Sequence, residues 1–499
     1  MIICALLLGS FAGQHALAQT APAACPSPPV AAGGPTNAHT GFVEANLNPP
    51  VLQPGARPFS LAERMRAYDV PAISVAVIHK GRIDWARSWG LRDLTTCAPA
   101  TPETAFQAAS ISKVVTAVIA LRLVEQGKIG LDRNINEALR SWTLPRDASR
   151  APDGVTLRQL LSHTAGLGVH GFDHGYLPGS PLPTTVQILD GVPPADNQAV
   201  RSILPAGAQF EYSGGGYMVA QLALSDVSGI AFPDLAEREV LGPLGMTHSA
   251  FAMPPAPAIQ ADMAFGSANG KPISGNYTVV PQLAAGGLWA SASDLARLLI
   301  DLQASAAGSK GHRLSPAMTR EMMTPVRDNW GLGLALYRNG VPRFGHDGVN
   351  TGYQSFMAAY VGNGDGIVVL TNGGDGRRLA NEVVRAVASD YGWADFAIPT
   401  SREQTLSLAQ LSKAAGRFAG AGFNVDLDAR REGLFARLVG APTSAAERLI
   451  AFSPTRFRSE TLGITVEFSS DFSSFTFIDG GPPMIVKRVK TVPNPVKED

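Results

Sequence analysis

Apolar and polar residues follow one another in different rhythms along successive parts of the chain. Near the front, "ISVAVIH" and "RIDWARS" are rich in β-branched and aromatic residues and are joined by Lys80 and Gly81, which predicts a β-hairpin. Just ahead of it "SLAERMRAY" has helical spacing and is stopped by Pro71. From Ser112 to about Ile300 the apolar period lengthens, and "LRQLLSH" and "ASDLARLLIDLQ" predict amphipathic helices between long loops. Strand patterns return in "WGLGLALY", "YQSFMAAYVG" and "DGIVVLTN", and "RRLANEVVRAVASDY" predicts a closing helix. That order predicts an α/β fold with a sheet assembled from both ends of the segment and a helical region inserted in the middle. After about Pro399, "FNVDLDA", "GITVEF" and "FTFIDG" alternate with period two between Gly, Pro and Ser turns. They predict a small antiparallel β-barrel or sandwich of about a hundred residues.

Length and charge narrow the function classes. At 499 residues the chain is long enough for two or three domains. Lys plus Arg and Asp plus Glu both number 41, which removes the electrostatic case for a nucleic-acid or polybasic membrane partner. The opening "MIICALLLGSFAGQHALAQT" reads as an apolar core followed by Ala-Leu-Ala, so residues 1–18 are expected to be a signal peptide. Residues 19–58, centred on "PSPPVAAGGPTN", read as an Ala/Pro/Gly-rich arm. No later apolar run is long enough to span a bilayer, so the expected location is periplasmic or secreted. Cys4 would leave with the signal, while Cys25 and Cys97 stay in an oxidising compartment. Sequence leaves open whether those two come within bonding distance. A lipid anchor on Cys25 is the weaker alternative, because "PAAC" is a poor lipobox far from the apolar core.

The chemistry concentrates where the chain passes from sheet to helices. In "FQAASISKVVTAVIALRLV", Ser110 and Lys113 share a helix face, so the lysine can take or hold the serine proton. The apolar run behind Lys113 supplies the burial that a basic lysine requires. Taken alone, the four letters fit a serine cap followed by a chance lysine better than a catalytic pair. Tyr212 lies in the Gly-rich "FEYSGGGYMVAQLAL", and His346, Asp347 and Gly348 lie in "RFGHDGVNTGYQSF", where Gly348 permits close backbone approach. His163, His170 and His174, with Asp173, match no zinc-ligand spacing on a helix, and His163 reads as a turn residue. With no phosphate loop or dinucleotide fingerprint, no metal and no cofactor are expected, and the absence of a "GxSxG" elbow argues against the α/β-hydrolase alternative.

In this order "SISK", "YSG" and "HDG" resemble the three motifs of the serine β-lactamase and penicillin-binding-protein superfamily, specifically its class C and esterase-like branch. The likeness runs on through "VPAISVAVIHKGRI", "LRQLLSHTAGL", "GPLGMTHSAF" and "AAGGLWASASDLARLL", from about Leu61 to Tyr391. It implies a hydrolase domain over residues 59–395, built as an antiparallel sheet flanked by terminal helices with an inserted helical domain. Residues 400–499 resemble the lipocalin-like appendage of some members. The resemblance further implies acyl transfer, with Ser110 as nucleophile and Lys113 and Tyr212 sharing the base role. The oxyanion is then held by the backbone N–H groups of Ser110 and Val349, and substrate is bound at His346, Asp347 and Gly348.

Two departures bear on the substrate. Gly214 stands where most relatives place Asn, which removes an amide for a substrate amide carbonyl, and the literal Tyr-x-Asn at Tyr337 to Asn339 reads as a hairpin turn. His346 replaces a lysine, and its imidazole is expected to be neutral at pH 7 and to gain charge near pH 5.5. The expected substrate is therefore a small ester or amide. The rivals are a D-amino-acid-specific peptidase or carboxypeptidase, a class C-type β-lactamase, and a non-enzymatic penicillin-binding-type ligand-binding domain.

Overall fold

Strands Ala72–His79 and Gly366–Thr371 lie side by side at the centre of a seven-stranded sheet and are buried at every position except His79. Such continuous apolar runs arise when both faces of a strand are covered. The order across the sheet is Ala98–Pro99, Arg82–Asp93, Ala72–His79, Gly366–Thr371, Tyr353–Tyr360, Arg343–Asn350 and Ala335–Tyr337, every neighbour antiparallel. The first three strands precede the helical insertion and the last four follow it, so the sheet is closed by both ends of the segment, as the sequence pattern predicts. This computed structural model describes residues 25, 33–51, 57–172, 175–252, 254–338, 340–396, 403–420, 423–439, 446–460, 463–478 and 484–489. The signal peptide expected over 1–18 and Asn339 of the expected hairpin turn lie outside them.

One expected strand is shorter than its pattern. In "WGLGLALY" only Ala335–Tyr337 forms a strand, because Gly333 adopts φ +79° and a Cβ at Gly331 would lie 2.3 Å from Met322 O. Those two glycines make the first half of the segment a turn.

The insertion packs around helix Ser112–Glu125, which is buried on nearly every side and accordingly apolar all round. Against it lie Gly214–Ser228 and the short helix Leu283–Gly286. Helix Gly214–Ser228 starts where Ser213 Oγ accepts the Gly216 N–H at 2.9 Å and ends at Gly229, φ +67°. Helix Ala292–Ala306 packs on the central strands, and Leu61–Ala67 is tied to Gly376–Tyr391 by Arg64 Nε and Tyr68 Oη, which donate to Glu382 at 2.7 and 2.6 Å. Within the expected arm, residues Ala38–Ala45 are helical, and Trp89 Nε1 donates to Glu44 at 2.7 Å. Cys25 and Cys97 form a disulfide, settling the question that the sequence left open.

The chain divides into two compact units. One comprises Pro22–Glu44 and Ser60–Val384, the other Ala45–Phe59 with Arg385–Asp499. The second contains a closed barrel of eight antiparallel strands, completed where Gly416–Gly420 meets Met484–Arg488. Closure removes every free sheet edge. Its alternating inward residues, among them Phe418, Leu434, Phe457, Phe468, Phe475 and Val486, form a core to which helix Leu408–Ala414 adds Leu411 and Ala414.

Candidate active site

Ser110 sits in a tight 3₁₀ turn, Ala109–Ile111, that feeds directly into helix Ser112–Glu125. Ala109 has φ +49°, a left-handed conformation that costs an L residue about 1–3 kcal/mol and persists only where the surroundings enforce it. The enforcement is visible. Ser112 Oγ donates to Ala109 O at 2.5 Å and accepts the Leu288 N–H at 2.9 Å, while the Ala108 N–H donates to Leu288 O at 2.8 Å. The turn leaves Ser110 partly exposed at the head of a buried helix.

Lys113 follows one turn later and is 2% exposed. Its Nζ donates to Ser110 Oγ at 3.1 Å and to Ala285 O at 2.6 Å. That carbonyl belongs to a short helix fixed from both neighbours: Gln221 Oε1 accepts the Ala284 N–H at 2.9 Å and Thr116 Oγ1 donates to Ala284 O at 3.1 Å. Its Nζ also lies 5.0 Å from the ring centre of Tyr212 and 5.6 Å from that of Tyr217. Ser110, Lys113 and Tyr212, separated by a hundred residues of sequence, therefore converge as the motif order implies.

Tyr212 is held by rings. His163 stacks on it with centroids 4.1 Å apart and planes 29° from parallel, Trp330 meets it edge-on at 6.0 Å, and His170 lies at 5.1 Å. The fully buried His163 sits in a left-handed turn at φ +57° and accepts the Ser213 N–H on Nδ1 at 3.0 Å, which places its own proton on Nε2. Burial, with Lys113 and His346 nearby, holds its pKa well below the usual histidine range. It is thus a neutral turn residue, as expected, but also the platform for Tyr212. Nothing in "SHTAGL" short of the three-dimensional turn announces that second role.

The third motif lies on strand Arg343–Asn350. His346 is fully buried, with its ring 5.5 Å from Trp330 and 6.5 Å from Tyr212. Burial pushes its pKa down to about 4, against the pull of Asp347. The expected gain of charge near pH 5.5 is therefore corrected: His346 is neutral there too. Its Nδ1–H donates to Asp347 O at 2.5 Å, which leaves Nε2 an acceptor. The Asp347 carboxylate is paired with Arg377; burial opposes its charge, but Arg377 and His346 hold its pKa below the usual carboxylate value. Gly348 meets the Ser110 turn. A Cβ there would lie 2.5 Å from Ala108 O and 2.8 Å from Ser110 N, so only hydrogen fits. Val349 follows on the same strand, opposite Gln354.

Of the other histidines considered for a metal, His163 uses Nδ1 internally, and His174 with Asp173 lies outside the described residues. Among the described residues no group of three or more His, Cys, Asp or Glu is arranged to hold a metal ion. Also among them, no helix is long and apolar enough to cross a membrane.

Known proteins resemble this chain over much of its length. The model of the family described as Beta-lactamase matches residues 60–390. Penicillin-binding protein 4 of Amycolatopsis lactamdurans is 26% identical over 375 residues, covering 71% of this chain and 95% of that protein. The unguisins hydrolase ungD of Aspergillus violaceofuscus is 24% identical over 345 residues, 62% of this chain and 59% of that protein. Among solved structures, D-amino acid amidase from Ochrobactrum anthropi SV3 superposes with a TM-score of 0.56 at 20% identity, covering 71% of this chain and all of that one.

Proposed function

This chain belongs to the beta-lactamase family, and we propose that within it the protein is an esterase or small-amide hydrolase that passes through an acyl-enzyme on Ser110. The observation that carries the reading is the 3.1 Å hydrogen bond from Lys113 Nζ to Ser110 Oγ beneath the ring of Tyr212. A serine hydroxyl is a weak nucleophile until a neighbouring base accepts its proton. Lys113 is within hydrogen-bonding reach of that proton and Tyr212 lies beside Lys113; in this reading the two share the base role and return the proton to the leaving group as the acyl-enzyme forms. Water then attacks the ester to Ser110 by the same route in reverse.

The carbonyl oxygen gathers negative charge in both steps. In the proposed geometry it lies between the N–H groups of Ser110 and Val349, with Gly348 letting the strand approach the turn closely enough for both to be used. Each such donor is worth about a hundred- to thousandfold in rate.

The preference for esters rests on the third motif. A β-lactam carboxylate wants a cation, and His346 offers a neutral, buried ring whose remaining nitrogen, Nε2, is an acceptor, while Asp347 is occupied by Arg377. A cation lost from a charge-assisted hydrogen bond costs about 1.5–3 kcal/mol. The Cys25–Cys97 bridge supports a location outside the cytoplasm, because such bonds persist in oxidising compartments. A panel of p-nitrophenyl acetate and butyrate, D- and L-amino-acid p-nitroanilides and a chromogenic cephalosporin tests the assignment. The esters are expected to exceed the cephalosporin in kcat/KM by about a hundredfold; cephalosporin turnover at or above the ester rate would show the reading to be wrong.

A further inference from the structure

The segment Val169–Phe172 lies directly against the second motif. Val169 O and His170 O accept the Gly215 and Gly214 N–H groups, each at 3.0 Å, and the His170 ring leans on Tyr212. Ser213 is extended, at φ −137° and ψ 112°, so Tyr212 and Gly214 point to the same side of the chain. On that side a Cβ at Gly214 would lie 2.9 Å from Phe172 Cε2 and 3.3 Å from Cδ2. The Phe172 ring thus fills the ground that a side chain at position 214 would occupy. The ring packs against the core as well as Gly214, and the residue keeps part of its surface exposed.

We propose that Phe172 is a specificity-determining residue: its ring provides an apolar wall where relatives offer a carboxamide, and it selects acyl groups that are apolar and carry no amide. The inference rests on the acyl-transfer reading given above. The physical basis is a difference in what the wall rewards. An acyl chain lying on the ring gains about three- to fourfold per methylene removed from water. An acyl group bearing an amide gains no hydrogen-bond partner there and loses solvation instead.

The test compares p-nitrophenyl acetate, p-nitrophenyl butyrate and the p-nitrophenyl ester of N-acetylglycine on the full chain. A ratio of kcat/KM values taken within one preparation is independent of how much of a variant is folded. The wild type is expected to favour butyrate over acetate by about tenfold and over the N-acetylglycyl ester by at least as much. In Phe172→Ala the butyrate-to-acetate ratio should fall to about two or less, with Phe172→Leu between. Gly214→Asn alone collides with the ring, whereas Phe172→Ala combined with Gly214→Asn should raise the N-acetylglycyl-to-butyrate ratio about tenfold over the wild type. Ratios unchanged in both Phe172 variants overturn the inference. Fluorophosphonate labelling of wild-type Ser110 separates the two failures: labelling with unchanged ratios overturns the role of Phe172 alone, and no labelling overturns the acyl-transfer reading and this inference together.

Discussion

The Ser213 N–H donates to Nδ1 of His163 at 3.0 Å, and this bond fixes the face that the imidazole lays against Tyr212. Two residues fifty positions apart thereby set the angle of the Tyr212 phenol, which the "YSG" motif alone does not show. The helix cap and Tyr212 share one anchor, since Ser213 Oγ also caps helix Gly214–Ser228.

His163→Phe keeps an aromatic platform but leaves the Ser213 N–H buried without its acceptor. The expected cost is about 1–3 kcal/mol in a denaturant melt, together with a lower kcat as Tyr212 loses its fixed position. An unchanged melt with unchanged kcat would show that the bond does not hold the site.

Lys113 and Tyr212 are expected to act as one unit. Lys113→Ala or Tyr212→Phe should each lower kcat by several powers of ten, and the double variant should lose little more. Losses that simply add in the double variant would mean that the two groups do not share a proton path.

His346 predicts a pH dependence of stability with a definite sign. Its folded pKa, about 4, lies below the unfolded value of 6.5, so the unfolded chain takes up the proton first as pH falls. Its contribution is complete above about pH 6.5 and is lost as the pH falls toward 4, by about 3 kcal/mol in all. Urea melts at pH 7.5, 6 and 4.5 should show His346→Asn losing less stability than the wild type over that range. Equal losses would place the titration elsewhere; His163, buried and neutral in both proteins, contributes in the same direction and cancels in the comparison.

The sheet, the helical insertion and the barrel were legible because each leaves a periodic trace: continuous apolar strands at the centre, period-two strands after residue 400. The closeness of Ser110 and Lys113 was legible because a single turn of chain links them. What could not be read depends on contacts across long separations. Ala285 O, the acceptor for Lys113, sits in "LAAG", where any residue would supply a carbonyl. The left-handed Ala109 and His163 look ordinary in sequence, since the turns that strain them are enforced by Ser112, Leu288 and Ser213. Gly214 was legible as a missing amide, but the ring of Phe172 lying over it was not. The neutrality of His346 at pH 5.5 follows from complete burial, which a strand sequence does not reveal.

The central claim is that Ser110 carries the acyl group, and the most direct measurement is mass spectrometry of the intact protein and its peptides after brief incubation with a fluorophosphonate probe. The account predicts a single adduct on the peptide containing Ser110, abolished in Ser110→Ala and slowed in Lys113→Ala. An adduct on any other serine, or equal labelling of Ser110→Ala, would contradict it.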